Sequence, residues 1–134
     1  MSEEGAIGVG CGAAILRGGR LLLVKRLKAP EAGCWSLAGG RIEFFERAEH
    51  AARREALEEV GVAVEIGPLL CLAQTIGPDG QHWVAPVYRA ALTSGEPVNC
   101  EPDKIAAIGW FDPAAPPAPL AMAAQDAIAA LRAN

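Results

Sequence analysis

The chain has 134 residues, of which 51% are hydrophobic, so its length suits one domain with an ordinary core and is too short for two. Its formal net charge of −4 excludes a basic field that could hold a long nucleic acid or a membrane surface. A small anionic ligand remains compatible with this charge, because a bound cation can reverse the local field.

The N-terminus and the cysteines both indicate a cytoplasmic protein. Residues 1–4 are acidic and lack the basic start and apolar run of a secretory signal, and no apolar stretch reaches membrane-spanning length. The four cysteines never form a CxxC pair, so a zinc or redox site is not indicated, and we expect buried, reduced side chains at Cys11, Cys34, Cys71 and Cys100.

The first half of the chain predicts a hairpin, a short strand and a helix. Residues 7–16 and 21–25 are apolar, and two glycines between them supply the positive φ of a tight turn. Residues 35–38 alternate between large and small side chains, and this pattern ends at Gly39-Gly40. It predicts a short strand that leads into a turn. From Glu46 to Val60 the chain holds helix formers without Gly or Pro, and Gly61 suits a C-terminal cap.

The second half predicts three further strands and a second helix. Residues 62–76, 82–92 and 105–110 have strand composition and are separated by turns that contain Gly and Pro. A proline-rich connector leads to an alanine-rich helical segment at residues 120–132. The order β-β-β-α-β-β-β-α predicts an α/β (α+β) sandwich with a mixed sheet, as a single domain over residues 1–134.

Three glutamates of the first predicted helix share one face. Glu55, Glu58 and Glu59 lie at positions i, i+3 and i+4, within an arc of roughly 100°. Like charges at this spacing repel one another, and the C-terminal end of the helix dipole adds to the cost. The spacing alone fits a solvated acidic face, softened by Arg53 and Arg54, as well as a metal site.

The residues around these glutamates favour a metal site. Gly40, Glu46 and the run Arg54-Glu55-Ala56-Leu57-Glu58-Glu59-Val60-Gly61-Val62 match the pattern Gx5Ex7REUxEExGU at every specified position, where U is apolar. This pattern resembles the signature of the Nudix hydrolase family. The resemblance implies the family's sandwich of a mixed sheet between helices. Ala38 and Phe45 stand where many relatives have Pro and Gly, but both lie outside the strict signature.

The resemblance implies a metal site and its supports. Glu55, Glu58 and Glu59 would bind one or more Mg²⁺ or Mn²⁺ ions, with the Gly39 carbonyl as a further candidate ligand. Arg54 and Glu46 would brace each other and orient these ligands, and they would not contact substrate. Glu43 fits a place in the site and a surface role equally well.

The resemblance also implies the reaction, which is attack of an activated water on phosphorus with a glutamate as base. Glu55 or Glu58 fits the role of base. In some members of the family the base lies outside the signature. Glu101 is therefore a second candidate for the base, although it also fits a solvated acidic residue of a loop.

Segments outside the signature are similar to MutT-type nucleoside triphosphate pyrophosphohydrolases, which release a nucleoside monophosphate and pyrophosphate. The similar segments are residues 35–44, 82–84, 101–104 and 109–111. The candidate substrate contacts are a phosphate-binding arginine, a signature glycine and four aromatic residues that fit core positions as well, namely Arg26, Gly40, Trp35, Trp83, Trp110 and Phe111.

Two other functions stay open. ADP-ribose or another nucleoside diphosphate sugar is the alternative substrate, although such enzymes often carry extra N-terminal strands and this hairpin starts early. A catalytically silent, nucleotide-binding module is the alternative of another class, which the complete glutamate set disfavours. A homodimer through a strand edge is compatible with either function.

We predict that Glu59→Gln lowers kcat by at least about 10³ with little loss of folding, because it removes a principal charge-stabilising group. Steady-state hydrolysis assays and circular dichroism of the variant check this prediction. Turnover equal to the wild type would mean that the metal is held elsewhere.

Overall fold

The computed structural model describes residues 5–133 and places seven strands, two helices and one 3-10 turn in this part of the chain. Residues 1–4, on which the prediction about a secretory signal rests, lie outside the described residues. Across residues 5–133, neither helix combines the length and the apolar character that crossing a membrane requires.

The elements follow the predicted order, with one additional strand. The strands are β1 (Gly8–Arg17), β2 (Arg20–Arg26), β3 (Trp35–Ser36), β4 (Ala38–Arg41), β5 (Ala63–Ile76), β6 (His82–Ser94) and β7 (Ile105–Phe111). Helix α1 spans Ala48–Val60 and helix α2 spans Met122–Ala133, and the 3-10 turn spans Pro78–Gly80.

All seven strands join one mixed sheet. Along its main path the order is β3-β2-β1-β6-β5, while β4 pairs with β1 and β7 pairs with β2. Strands β1 and β6 run parallel, and the other pairs run antiparallel. The predicted hairpin is confirmed, with Arg17 opposite Arg20 and with φ of 58° and 77° at Gly18 and Gly19.

The sheet is buried on both faces, which explains why β1 and β2 are apolar without alternation. Successive strand residues point to opposite faces. Ile15 and Leu22 join the core under α1, whereas Leu21 and Leu23 join the core under α2. Alanines dominate the buried face of α1, so the helix lies close to the sheet. The predicted sandwich of a mixed sheet between helices is therefore confirmed.

Helix α1 begins at Ala48 and not at the predicted Glu46. Phe45 has a φ of 66°, and the Glu46 amide donates to the Glu43 carbonyl, so the chain is still in a turn there. Arg47 is extended at the N-cap. The predicted C-terminal cap is confirmed, because Gly61 has a φ of 69° and its amide donates to the Leu57 carbonyl.

Gly39 and Gly40 belong to strand β4 and do not form the predicted turn. They lie opposite Gly12 and Cys11 of β1. A Cβ at Gly39 would collide with the Cys11 carbonyl oxygen. The glycines therefore permit a close approach of two strands, and this approach brings the backbone of β4 beside the acidic end of α1.

The cysteines differ from the expectation of uniform burial. All four are free thiols, but Cys11 alone among them is buried, and burial raises its pKa to about 11. Cys34 and Cys71 are half-buried and Cys100 is exposed. The burial of each cysteine depends on its place in a strand or a loop, which the spacing of the cysteines in the sequence does not reveal.

Candidate active site

The acidic face of α1 lies where the helix meets strand β4. Glu55 and Glu59 continue the stripe of the buried residues Ala52 and Ala56, at intervals of three and four residues. This register explains why the side chain of Glu55 is only 15% exposed. Glu58 lies farther round the helix and is more exposed.

Arg54 connects four carboxyl-bearing residues around this face. Its Nε and Nη2 donate to both oxygens of Glu46 at 2.8 and 2.9 Å, in a bidentate pair. Its Nη1 donates to Glu55 at 2.9 Å and to Glu58 at 3.2 Å, and lies 3.8 Å from Glu43. The predicted bracing of Arg54 by Glu46 is present, and Glu43 lies at its margin.

Glu46 is fixed on the far side of the guanidinium. The Arg54 hydrogen bonds, together with the amide of Glu43, lower the pKa of Glu46 to about 2. Arg54 also donates from Nη2 to the Arg41 carbonyl at 3.0 Å. One guanidinium thus ties the turn before α1, the helix itself and the end of β4 together.

Gly40 is a glycine because the Glu55 carboxylate occupies the space that a side chain would fill. A Cβ on Gly40 would lie 2.6 Å from the Glu55 carboxyl carbon and 2.7 Å from each of its oxygens. The first specified residue of the signature therefore sets where the carboxylate of Glu55 lies.

The surroundings of the Glu59 carboxylate disfavour its ionised form. Its Oε1 accepts a hydrogen bond from the Gly39 amide at 2.7 Å. Burial raises the pKa of Glu59 to about 8, against the effect of that hydrogen bond, and the charges of Glu55 and Glu101 raise it further. Burial also raises the pKa of Glu55, although Arg54 opposes the increase. A cation would relieve both carboxylates.

A cavity of about 270 Å³, called here the acidic cavity, opens over these glutamates. Glu101 lines it together with Glu55, Glu58 and Glu59, although it lies far away in the sequence. The amide of Cys100 donates to the Glu59 carbonyl, which holds the segment before Glu101 against the end of α1. Arg26, Arg41, Lys28 and Lys104 line the same cavity with opposite charge.

A second cavity of about 180 Å³, called here the apolar cavity, adjoins the first. Leu37, Ala85 and Val87 line it beside the indole of Trp83. The two cavities share four lining residues, namely Arg26, Gly39, Gly40 and Arg41. The guanidinium of Arg41 lies 4.9 Å from the Trp83 ring centroid, so this residue contacts the apolar cavity and the Arg54 cluster together.

The four aromatic candidates have different surroundings. Trp83 lines the apolar cavity. Trp35 and Phe111 pack edge to face, with centroids 4.9 Å apart, in the core under α2. Trp110 packs against the core under α1 and beneath the Arg17 guanidinium. Trp35, Trp110 and Phe111 line neither cavity, in keeping with the core positions that were open for them, and their contact with substrate stays a prediction.

The donor set suits a hard divalent cation. The available ligands are carboxylate oxygens, with no histidine or cysteine in the acidic cavity lining, and two of the carboxylates are destabilised by burial. Within residues 5–133, no three acidic, histidine or cysteine side chains are gathered closely enough to enclose an ion by themselves. In this arrangement Arg54 orients Glu55 and Glu58, while the Gly39 amide orients Glu59.

The sequence reasoning missed several residues of the two cavities. Arg41 directly follows the two glycines, and this position in the signature loop was an available signal. Glu31, Ser36 and Thr75 line the apolar cavity, but they come from separate elements. Only the pairing of the strands brings these three together, so no spacing in the sequence indicates them.

Comparison with known proteins agrees with this geometry. The family model described as NUDIX domain matches residues 7–131. A crystal structure of a MutT NUDIX hydrolase from Burkholderia pseudomallei superimposes with a TM-score of 0.89 at 50% identity, covering 93% of this chain and 98% of that one.

The names of two relatives indicate different substrates. The chain is 34% identical over 102 residues to an oxidized purine nucleoside triphosphate hydrolase of Danio rerio, covering 73% of this chain and 62% of that protein. It is 33% identical over 78 residues to an ADP-ribose pyrophosphatase of Methanocaldococcus jannaschii, covering 58% and 46%. The chain thus spans about three-fifths or less of the length of these relatives.

We predict that Gly40→Ala lowers kcat/KM by about 10² while the protein stays folded, because the new methyl displaces the Glu55 carboxylate and not the backbone. Gly67→Ala is the matched control, because Gly67 lies in strand β5 outside both cavity linings and its Cβ would lie 3.2 Å from the Arg89 carbonyl of strand β6. Assays of hydrolysis and thermal unfolding compare the two variants. An active Gly40→Ala would contradict the importance of the Glu55 position.

Proposed function

The chain belongs to the Nudix family, and on this premise we propose that it is a Mg²⁺- or Mn²⁺-dependent nucleotide pyrophosphohydrolase. Its proposed substrate is a (deoxy)nucleoside triphosphate, which it converts to the monophosphate and pyrophosphate. The observation that carries this proposal is the junction of the apolar cavity with the acidic cavity through Arg26, Gly39, Gly40 and Arg41.

This junction fits the two halves of a nucleotide. The apolar cavity offers the Trp83 indole and aliphatic walls to a base, as aromatic faces commonly do. The acidic cavity offers carboxylates for a cation and basic side chains for phosphate oxygens. Arg26 lines both cavities and is held by its Nε, which donates to the Pro30 carbonyl at 2.7 Å. Its remaining guanidinium surface suits the phosphate nearest the nucleoside.

We assign Glu55, Glu58 and Glu59 as the residues that would hold the cation, with the Gly39 carbonyl as a further candidate ligand. When bound, a divalent cation supplies charge neutralisation at phosphate oxygens and lowers the pKa of a coordinated water. Arg54 orients Glu55 and Glu58 through its hydrogen bonds, and Glu46 orients Arg54.

Glu101 is the proposed general base, with Glu55 and Glu58 as the alternatives inside the signature. It lines the acidic cavity, and its side chain is 26% exposed, so it can reach a water there. Its contact with Lys104 is long, at 3.9 Å, and leaves lone pairs for a proton. The segment that carries it is anchored by the Cys100 amide and by the Asn99 side chain.

A triphosphate fits the basic residues better than a diphosphate sugar does. Lys28 and Lys104 line the acidic cavity, where a terminal phosphate would carry charge and a distal sugar would not. The similarity to the ADP-ribose pyrophosphatase of Methanocaldococcus jannaschii keeps the diphosphate sugar as the second candidate.

The single domain over residues 1–134, the cytoplasmic location and a homodimer stay predictions.

The test is a substrate panel with Mg²⁺, comprising nucleoside triphosphates, deoxynucleoside triphosphates, oxidised deoxynucleoside triphosphates, ADP-ribose and dinucleoside polyphosphates. We expect pyrophosphate release from triphosphates, with kcat/KM at least about tenfold above that for ADP-ribose. Glu59→Gln, purified in the same way, is the control for contaminating phosphatases. Faster turnover of ADP-ribose would contradict the substrate, and no turnover of any compound would contradict the enzyme.

A further inference from the structure

Glu31 lines the apolar cavity, and the proposed reaction does not use this residue. Among the described residues that line this cavity, Glu31 alone is acidic. It is half-buried beside Pro30, on the loop between β2 and β3 that forms one wall. A carboxylate in a mostly apolar pocket is costly unless hydrogen-bond donors satisfy it.

Two distant elements hold Glu31 in position. Its Oε2 accepts a hydrogen bond from the amide of Met122, the first residue of α2, at 2.8 Å. Its own amide donates to Oδ2 of Asp79 in the 3-10 turn at 3.0 Å. Its φ is 62°, a left-handed conformation that is uncommon for a residue other than glycine. These contacts therefore fix the position of the Glu31 side chain, unlike that of a side chain on a solvated loop.

The hydrogen bond to Met122 occupies one oxygen of the carboxylate only. No donor within residues 5–133 pairs with Oε1. The other polar side chains in the cavity wall include Ser36 and Thr75, which are 9% and 8% exposed. A hydroxyl donates or accepts as its ligand requires, so these two do not select between bases, whereas a carboxylate only accepts.

We propose that Glu31 selects the base of the nucleotide, favouring a guanine-type base that presents two adjacent N–H donors. This inference rests on the proposed function and specifies the substrate of the same site. Guanine offers N1–H and the N2 amino group side by side, so Oε1, which has two lone pairs, can accept from either or both while Oε2 keeps its hydrogen bond from the Met122 amide. Adenine and cytosine offer an amino group beside an unprotonated ring nitrogen, which would face Glu31 lone pair to lone pair. A site with such an acceptor rejects bases that cannot satisfy it.

Glu31→Gln separates this role from the capping of α2. The glutamine carbonyl can still accept from the Met122 amide, but the new amino group faces the base with donors in place of an acceptor. Asp126→Asn is the matched control. Asp126 also accepts one backbone hydrogen bond, from Gln74 at 3.1 Å, but it is exposed and lies outside the cavity lining.

The experiment measures kcat/KM for dGTP, dATP and dCTP with the wild type and both variants. We expect the wild type to prefer dGTP, and Glu31→Gln to lower the ratio of dGTP to dATP by at least about tenfold. Asp126→Asn should leave that ratio unchanged. A Glu31→Gln variant that slows all three nucleotides equally, or none of them, would overturn the inference, because a purely structural role does not alter base preference.

Binding of products to the wild type tests the inference without the variant and without turnover. Calorimetric titration with dGMP and dAMP should show dGMP binding at least about tenfold more tightly. Equal affinities would overturn the role of Glu31 even if triphosphates are hydrolysed. A dGMP affinity at least about tenfold above that for dAMP, found without any hydrolysis, would support the proposed base preference and contradict the proposed reaction.

Discussion

The contacts of Arg54 determine how the site is built. One guanidinium pairs with Glu46 through two hydrogen bonds and donates to Glu55, Glu58 and the Arg41 carbonyl. Lysine could not replace it, because a single ammonium group lacks the planar set of donors that reaches all of these acceptors. The turn before α1, the acidic face of the helix and the end of β4 are therefore positioned relative to one another by one side chain. Gly40 completes this arrangement by leaving room for the Glu55 carboxylate.

Arg54 neutralises only part of the charge that the fold gathers. Glu59 turns away from it, toward the Gly39 amide, and shares the acidic cavity with Glu101. Burial and neighbouring carboxylates raise the pKa of Glu59, so its ionised form is disfavoured unless a positive charge joins it. The hydrogen bonds from Arg54 offset the cost of placing Glu55 and Glu58 near the unfavourable end of a helix, whereas the cost of ionising Glu59 is not offset in this way. The raised pKa of Glu59 also links the folded structure to the proposed chemistry, because a bound cation would stabilise the ionised form of this residue.

Much of the fold follows from local sequence signals. The hairpin glycines, the apolar strands, the helix of alanines and glutamates and the Gly61 cap all act over a few residues, and the structure confirms them. The glutamate set and its bracing arginine could also be recognised, because they lie within one short motif. Non-local contacts could not be derived in this way. The placement of Gly39 and Gly40 depends on strand β1, and the apolar cavity depends on side chains from β3, β5 and β6. The aromatic residues show the same limit, since composition does not tell a core tryptophan from one that lines a cavity.

The most direct test of the account is a calorimetric titration of the wild-type protein with Mg²⁺ in buffers of different ionisation enthalpy, over pH 6 to 10. A pKa of about 8 means that Glu59 is mostly protonated at pH 7, and a bound cation favours the ionised form. We therefore predict that Mg²⁺ binding releases close to one proton at pH 7, that this release falls toward zero above about pH 9, and that affinity rises with pH over the same range. Absence of binding, or binding at pH 7 without proton release, would contradict the claim that the fold holds a carboxylate in need of a cation.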